Sequence, residues 1–360
     1  MPFIRESFHI DTPIKASRFL TRTLGYTTAQ AQKHIDKARL RTPDNAPVQK
    51  SQIISGIVWL THFVDDFYTP SELTAPIFTT RDFTLFCKPA KLLTHPKGSF
   101  LHKSLIDSAR YFAGKDAKLA HRLDYETSGL IVAAKGRANE RALKQLFATR
   151  EVCKTYIAKV QGIITGARTI DAPILAPSPA QKPHRNLSIR SRIDPSGKPA
   201  VTLIAPLHID SVRAQTTILA RPLTGRTHQI RLHCAHIGHP ICNDFLYGGD
   251  DAMAEAYLDA LKQSFLDAES GALESTSAQK SAPEVSPQNP QSPPNPQDSQ
   301  NPPSPLLSST LCLHAYHLRF AYRHIYSLYA PLPAWLDASI LESDILDSIR
   351  VGFTNIDSAT

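Results

Sequence analysis

No two cysteines in this 360-residue chain form a CxxC pair, and the five present, Cys87, Cys153, Cys234, Cys242 and Cys312, are odd in number and widely scattered. That pattern excludes a disulfide framework and suits reduced thiols. No uninterrupted apolar run approaches the roughly 20 residues a bilayer requires, and the opening MPFIRESFHIDTPIK mixes charges with isolated apolar residues. Neither a membrane anchor nor a signal peptide is expected, and a cytoplasmic location follows. A glycine-rich phosphate loop and a βαβ repeat of about 30 residues are also missing, which disfavours the nucleotide-binding α/β folds. Acidic residues fall short of basic ones, 32 against 40, leaving a formal charge of +8 that favours an anionic partner if it clusters on one face.

What is present is enough apolar residue, 42%, to build a core, in a chain long enough to need a main domain and a smaller appendage. Residues 1–68 read as that appendage. Phe19, Leu20 and Leu24 recur at helical spacing, a Thr-Thr pair caps a second helical stretch, and the β-rich IISGIVWL closes the unit. Lys33 and Lys37, followed by Arg39 and Arg41, place positive charge on or after the second helix; this suits phosphate contact, and also the solvated face of any surface helix. Residues 69–76, TPSELTAP, read as a linker.

From 77 to 345 short β-branched or aromatic strands dominate, among them FTLFCK, GLIVAAK, KTYIAKVQG, AVTLIAP and QTTILA, with occasional helices such as ERALKQLFATR. The expectation is an α+β fold with a mixed, mainly antiparallel sheet, preceded by a small α/β domain. Nine of the 28 prolines fall between Pro283 and Pro305 amid Ser, Gln and Asn, so residues 268–309 are expected to be a disordered insertion within the main domain. LCLHAYHLRF and IYSLYAPLPAWL resume the strand pattern, and 346–360 form a tail.

Two strings concentrate chemistry. In HRLDYETSGL, residues 121–130, Asp124 lies between Arg122 and a Thr-Ser-Gly turn; on its own this is what a solvated turn looks like. LTGRTHQIRLHCAHIGHPICNDFLYGG, residues 223–249, interleaves Arg226 and Arg231 with His228, His233, His236 and His239. His and Cys are zinc ligands, but without HExxH or paired-cysteine spacing no metal is expected.

Taken in order, HRLDYETSGLIVAAK, KTYIAKVQG, LTGRTHQIRLHCAHIGHPICNDFLYG, LHAYHLRF and APLPAWL, preceded by FCKPAKLLTHPKG, resemble the RluA-type pseudouridine synthases over nearly all of residues 80–340 outside the insertion. The TSG motif and KTYIAKVQG look closest to the branch that RluC typifies. Residues 15–65 resemble a small RNA-binding domain shared by a small-subunit ribosomal protein, some tRNA synthetases and many of these synthases. The resemblance implies an isomerase that turns a uracil over and rejoins it through carbon five, without metal or cofactor. It assigns Asp124 as the nucleophile, Tyr156 as the residue packing on the base, and Arg231 as the basic partner of Asp124. Arg122, with Arg226 and His228, would grip RNA around a flipped uridine, and Ile230 or Leu232 would wall the uracil pocket. Cys242 and Asn243 depart from the acidic residue the family often has before Asp244.

The implied partner is structured RNA, foremost large-subunit ribosomal RNA, with transfer RNA as the alternative and a monomer sufficient. Competing readings are a non-catalytic RNA-binding assembly factor, a glycosidase pairing Asp124 with Glu126, and a zinc hydrolase. The first leaves the acid without a purpose beside phosphates, and the second leaves the basic GRTHQIR unexplained.

Overall fold

The computed structural model describes residues 3–63, 70–96, 103–177, 187–278 and 305–337, together with Ile340 and Ile345. The first stretch has its own sheet. Strand β1 (Phe3–Lys15) leads into a short helical turn, α1 (Ala16–Arg18), continued by a wider turn over Phe19–Thr23, then α2 (Thr28–Asp36), β2 (Leu40–Arg41) and β3 (Ile53–Phe63). Thr27 caps α2 as its sequence suggests: its backbone N–H donates to the Gln30 side chain at 2.8 Å, and its hydroxyl accepts from the Gln30 backbone at 3.3 Å. The sheet order is β1-β3-β2, and Phe19, Leu20, Leu40, Val58 and Leu60 are buried beneath it. The long β1 is not predicted, because its charged residues alternate with apolar ones over only part of its length.

The main body begins with β4 (Pro76–Thr79), one residue inside the expected linker, and β5 (Phe83–Lys88). There follow α3 (Leu105–Ala113), β6 (Lys118–Leu119), β7 (Ser128–Ala134), α4 (Gly136–Ala148), β8 (Cys153–Gln161), β9 (Arg168–Asp171), β10 (Ile174–Leu175), β11 (Arg192–Ile193), β12 (Val201–Asp210) and β13 (Gln215–Pro222). Helices α5 (Gln229–His236), α6 (Asp251–Ala278) and α7 (Pro305–Ser308) precede β14 (Leu313–Tyr322) and β15 (His324–Tyr329). The strands of the main sheet run β4-β5-β7-β14-β8-β13-β12-β9, with β6 on β7 and β15 on β14. Pairing is antiparallel except between β7 and β14, so the sheet is mixed and mostly antiparallel, an α+β architecture as expected.

Strand β7 shows why the core forms where it does. Leu130 and Val132 pack on one face with Phe83, Leu85 and Tyr316, while Ile131 and Ala133 pack on the other with Phe86, Leu105 and Ile106. A strand buried on both faces reads as the continuous apolar run GLIVAA rather than an alternation. At its start Gly129 has φ +111°, and a Cβ there would stand 2.3 Å from the Ala315 carbonyl oxygen, so only glycine lets β14 come alongside.

Residues 268–278, the start of the expected disordered insertion, are helical instead. Helix α6 runs to Ala278, about three turns past residue 268, because Ala, Glu and Leu supply half of DAESGALESTSA and no proline interrupts it. At the other end Pro305–Ser308 is helical. The remaining proline-rich stretch, 279–304, lies outside the described residues, as does the tail 346–360.

Candidate active site

Asp124 sits in the turn that enters β7, held from beneath by the loop after β5. The Thr94 hydroxyl donates to the Leu123 carbonyl at 2.7 Å, and the Lys91 N–H donates to the Tyr125 carbonyl at 2.8 Å. Lys88, fully buried at the end of β5, donates from Nζ to the carbonyls of Pro89 (2.8 Å), Leu92 (2.9 Å) and Tyr125 (3.1 Å). Burial pulls its pKa down to about 7, against the opposing fields of Asp124 and Glu126.

Lys88 is a base whose folded value lies below its ordinary 10.5, so between those two values the unfolded chain holds more protons. Its contribution therefore raises the free energy of unfolding as pH rises through that window. Denaturant titrations of wild type and Lys88→Met from pH 7 to 9 should differ by an amount that grows by up to about 1.4 kcal/mol per pH unit. A difference independent of pH would mean that the amine keeps its ordinary pKa in the fold.

Over this turn opens a cavity of about 420 Å³. Arg122 and Asp124 line it from the turn, Tyr156 from β8, and Arg226, His228, Ile230 and Arg231 from the segment that becomes α5. Seven residues singled out in three separate motifs thus meet at one place. Tyr156 lies on β8, which pairs with β14 between it and β7, and burial, then the Asp124 charge, raises its pKa, keeping the phenol protonated. His228 caps α5 in the left-handed region, φ 56°, a conformation uncommon for a side-chain-bearing residue. Its Nε2 stands 4.0 Å from Asp124 Oδ1, and its Nδ1 shares a 2.8 Å hydrogen bond with the Tyr247 hydroxyl. That hydroxyl also accepts from the Ser191 N–H at 2.9 Å, so in the arrangement where Tyr247 donates to Nδ1, the His228 proton sits on Nε2, facing the acid.

Arg231 departs from its expected pairing. Its guanidinium lines the cavity and acts electrostatically on Asp124, but its fork closes on Asp244, Nε to Oδ2 and Nη2 to Oδ1, both at 2.7 Å. The side chains are 5% and 0% exposed, so this pair is out of water. Burial works against the Arg231 charge, yet the Asp244 carboxylate, helped by Asp124 and Tyr247, raises the pKa overall. The reason lies in the geometry: α5 turns Arg231 toward the 241–247 loop, where the Leu246 and Tyr247 N–H groups also donate to Asp244 Oδ1.

The same helix separates Ile230 from Leu232. Ile230 lines the cavity, whereas Leu232 packs with Ile174, Ala200, Leu246 and Tyr247, because residues two apart on a helix point in nearly opposite directions. Glu126 does not share a face with Asp124, since both lie in a turn and not on a strand; its buried carboxylate accepts from the Tyr257 hydroxyl. Ser128, which has no evident histidine partner in the sequence, bonds His314 Nδ1 at 2.8 Å across the β7–β14 pair. Burial pulls His314 down to about 4, and neither residue is part of the cavity wall. Two of the later histidines are also occupied: His233 bonds Thr202 Oγ1 and the Ala172 carbonyl, and His239 the Gln161 carbonyl.

Sequence reasoning passed over three cavity residues. His121, in the HRLD string, stacks on Phe147 with centroids 4.2 Å apart, and burial, then Lys154, pulls its pKa down to about 3, so it stays neutral. Lys154, in the KTY string, points its amine into the cavity, with burial lowering its pKa. Gln229 ties α5 down through the Val201 carbonyl and Thr202 hydroxyl, both at 2.9 Å, and accepts from Thr224 at 2.7 Å. All three lie inside motifs already quoted, but nothing local marks Gln229 as a strut.

Lys33 and Lys37 lie away from this cavity. They line a second cleft of about 550 Å³ where α2 faces the main body, together with His34, Arg39, Arg110 and Lys118. Arg110 and Lys118, with Arg122 and Lys144, act electrostatically on His95, which connects the cleft's charge with that of the cavity rim.

The RNA pseudouridylate synthase family model matches residues 82–236, which contain most of this cavity wall. An uncharacterized RNA pseudouridine synthase of Helicobacter pylori is 46% identical over 259 residues, covering 72% of this chain and 84% of that protein. Ribosomal large subunit pseudouridine synthase D of Escherichia coli K12 is 31% identical over 206 residues, 54% of this chain and 60% of that one. The named ribosomal relatives are thus of type D, where the motifs resemble the RluC branch. The solved structure of human RNA pseudouridylate synthase domain containing 1 superposes with a TM-score of 0.52 at 23% identity, covering 79% of this chain and 97% of that chain.

Proposed function

Because the chain belongs to the RNA pseudouridine synthase family, and is therefore an isomerase, we propose that it converts specific uridines of large-subunit ribosomal RNA to pseudouridine through a covalent adduct on Asp124. The observation that carries this reading is the convergence of Asp124, Tyr156 and Arg231 on one cavity rimmed by Arg122, Arg226, His228 and Lys154. An acid among cations meets a polyanion without repelling it, and a flipped uracil is a flat group of the size such a cavity accepts. The carboxylate attacks either the anomeric carbon, displacing the uracil and holding the sugar as an ester while the pocket keeps the freed base, or carbon six of the ring, holding the base itself once its bond to the sugar breaks. Tyr156, a neutral phenol, packs on the base and offers its hydroxyl as hydrogen-bond donor or acceptor. Ile230 provides the apolar wall. Arg231 acts on Asp124 at a distance, anchored by Asp244, and Arg122 holds the phosphates beside the vacated stack.

The type D relatives, named for the ribosomal large subunit, support that substrate. The second cleft supports a role for the N-terminal unit in binding RNA: Lys33, Lys37, Arg39, Arg110 and Lys118 line it from both bodies. A cytoplasmic monomer suffices for this chemistry, with no cofactor or metal. Pseudouridine mapping of total RNA from cells lacking the protein tests the substrate. We expect discrete sites to vanish from large-subunit ribosomal RNA and return with the wild-type gene. Loss confined to transfer RNA would move the substrate there, and persistence of every site would favour a non-catalytic assembly factor.

A further inference from the structure

Helix α6 lies along the turn that presents Asp124. The Tyr257 hydroxyl donates to the Glu126 carboxylate, and eight residues on, Phe265 packs against Tyr125 with ring centroids 5.5 Å apart. Positions eight apart lie on one helix face, so a single face of α6 holds the two residues that directly follow Asp124. The helix is itself anchored. Ala254 is buried with Leu246 and Tyr247, the Tyr257 ring lies 5.7 Å from Phe245, and the Asp251 carboxylate accepts from Arg190 at 2.6 Å. Those anchors flank Asp244, the partner of Arg231, so α6 joins the turn that carries Asp124 to the loop that holds the cavity residue Arg231 from behind.

We propose that Tyr257 is a positioning residue for the isomerisation, fixing the Asp124 turn through Glu126. The inference rests on Asp124 being the nucleophile. Neither Tyr257 nor Glu126 lines the cavity, so neither is placed to touch substrate. Their bond instead limits the freedom of a turn otherwise held through its backbone by Lys88, Lys91 and Thr94. A misplacement of about 1 Å at a reacting atom costs on the order of 100-fold in rate. Losing the Tyr257 hydroxyl should therefore lower kcat and leave the RNA grip intact.

The test measures turnover of purified wild type, Tyr257→Phe and Asp124→Asn on total RNA from cells lacking the protein, read at the uridines the deletion leaves unmodified. Phenylalanine keeps the packing on Phe245, so a native circular dichroism spectrum is expected. Tyr257→Phe should lower kcat on the order of 10- to 100-fold with KM within about two-fold of wild type. A folded Tyr257→Phe enzyme with wild-type kcat, or one whose loss lies in KM, overturns the proposal. If the single variant does not fold, Tyr257→Phe with Glu126→Leu removes both polar partners and leaves no orphan between them. That pair must show the same kcat loss, and wild-type turnover from it is equally fatal. Activity retained by Asp124→Asn instead removes the nucleophile reading, whereas a dead Asp124→Asn beside a fully active Tyr257→Phe removes only the positioning role.

Discussion

Asp124→Asn is expected to abolish pseudouridine formation, by on the order of 10⁴-fold or more, while leaving the protein folded and able to hold RNA. The amide matches the carboxylate in size but cannot form the sugar ester or the ring adduct on which the rearrangement depends. The fold should tolerate the change, because the turn is secured by backbone bonds from Lys88, Lys91 and Thr94 and by side-chain contacts at Tyr125 and Glu126. His228, whose Nε2 stands 4.0 Å from the acid, can face an amide oxygen as well. Single-turnover assays should show no product, and filter binding should show RNA affinity within a few-fold of wild type. Turnover within ten-fold of wild type would remove Asp124 from the centre of the chemistry and return HRLDYETSGL to the solvated turn it first resembles.

Asp244→Ala should be the most destabilising single change among the residues that support the cavity wall. It strips a buried guanidinium of both its hydrogen bonds and leaves the Leu246 and Tyr247 N–H groups without their acceptor. Removing one member of a buried pair costs about 3–5 kcal/mol, since the remaining charge cannot return to water. For a protein of this size that corresponds to a fall in Tm of roughly 4–8 °C. The activity should be lost as well, because a displaced Arg231 alters the field at Asp124. Arg231→Lys tests the geometry separately: it keeps a charge and loses the planar fork, so it should be less destabilised than Asp244→Ala yet still impaired. A loss of under about 1 kcal/mol in Asp244→Ala would show that Arg231 finds another partner in the fold.

Much of the cavity was legible because its residues lie in contiguous strings whose order itself carries information. Strand runs such as GLIVAA and QTTILA also announced the sheet, since burial on both faces leaves an apolar run that needs no partner to be recognised. What remained hidden depended on contacts distant in sequence. The partner of Arg231 is decided by which way α5 turns, which spacing along GRTHQIR does not disclose. The bond between Glu126 and Tyr257 spans 131 residues, and the helix carrying Tyr257 leads into a stretch whose composition argues for disorder. The proline count obscured α6 because composition averages over a window, while a helix ends only where its own next residues cannot continue it.

The position of β14 bears on the order in which the enzyme is made. This strand lies between β7, which leads out of the Asp124 turn, and β8, which carries Tyr156, and those two strands meet only through it. On the ribosome both would emerge long before residues 313–322, so the nascent chain carries Asp124 and Tyr156 on unjoined strands until β14 follows. The cavity is thus assembled only once β14 has been made. For the same reason, a chain severed between α6 and α7 should regain activity only when the C-terminal piece threads its strand back into the gap.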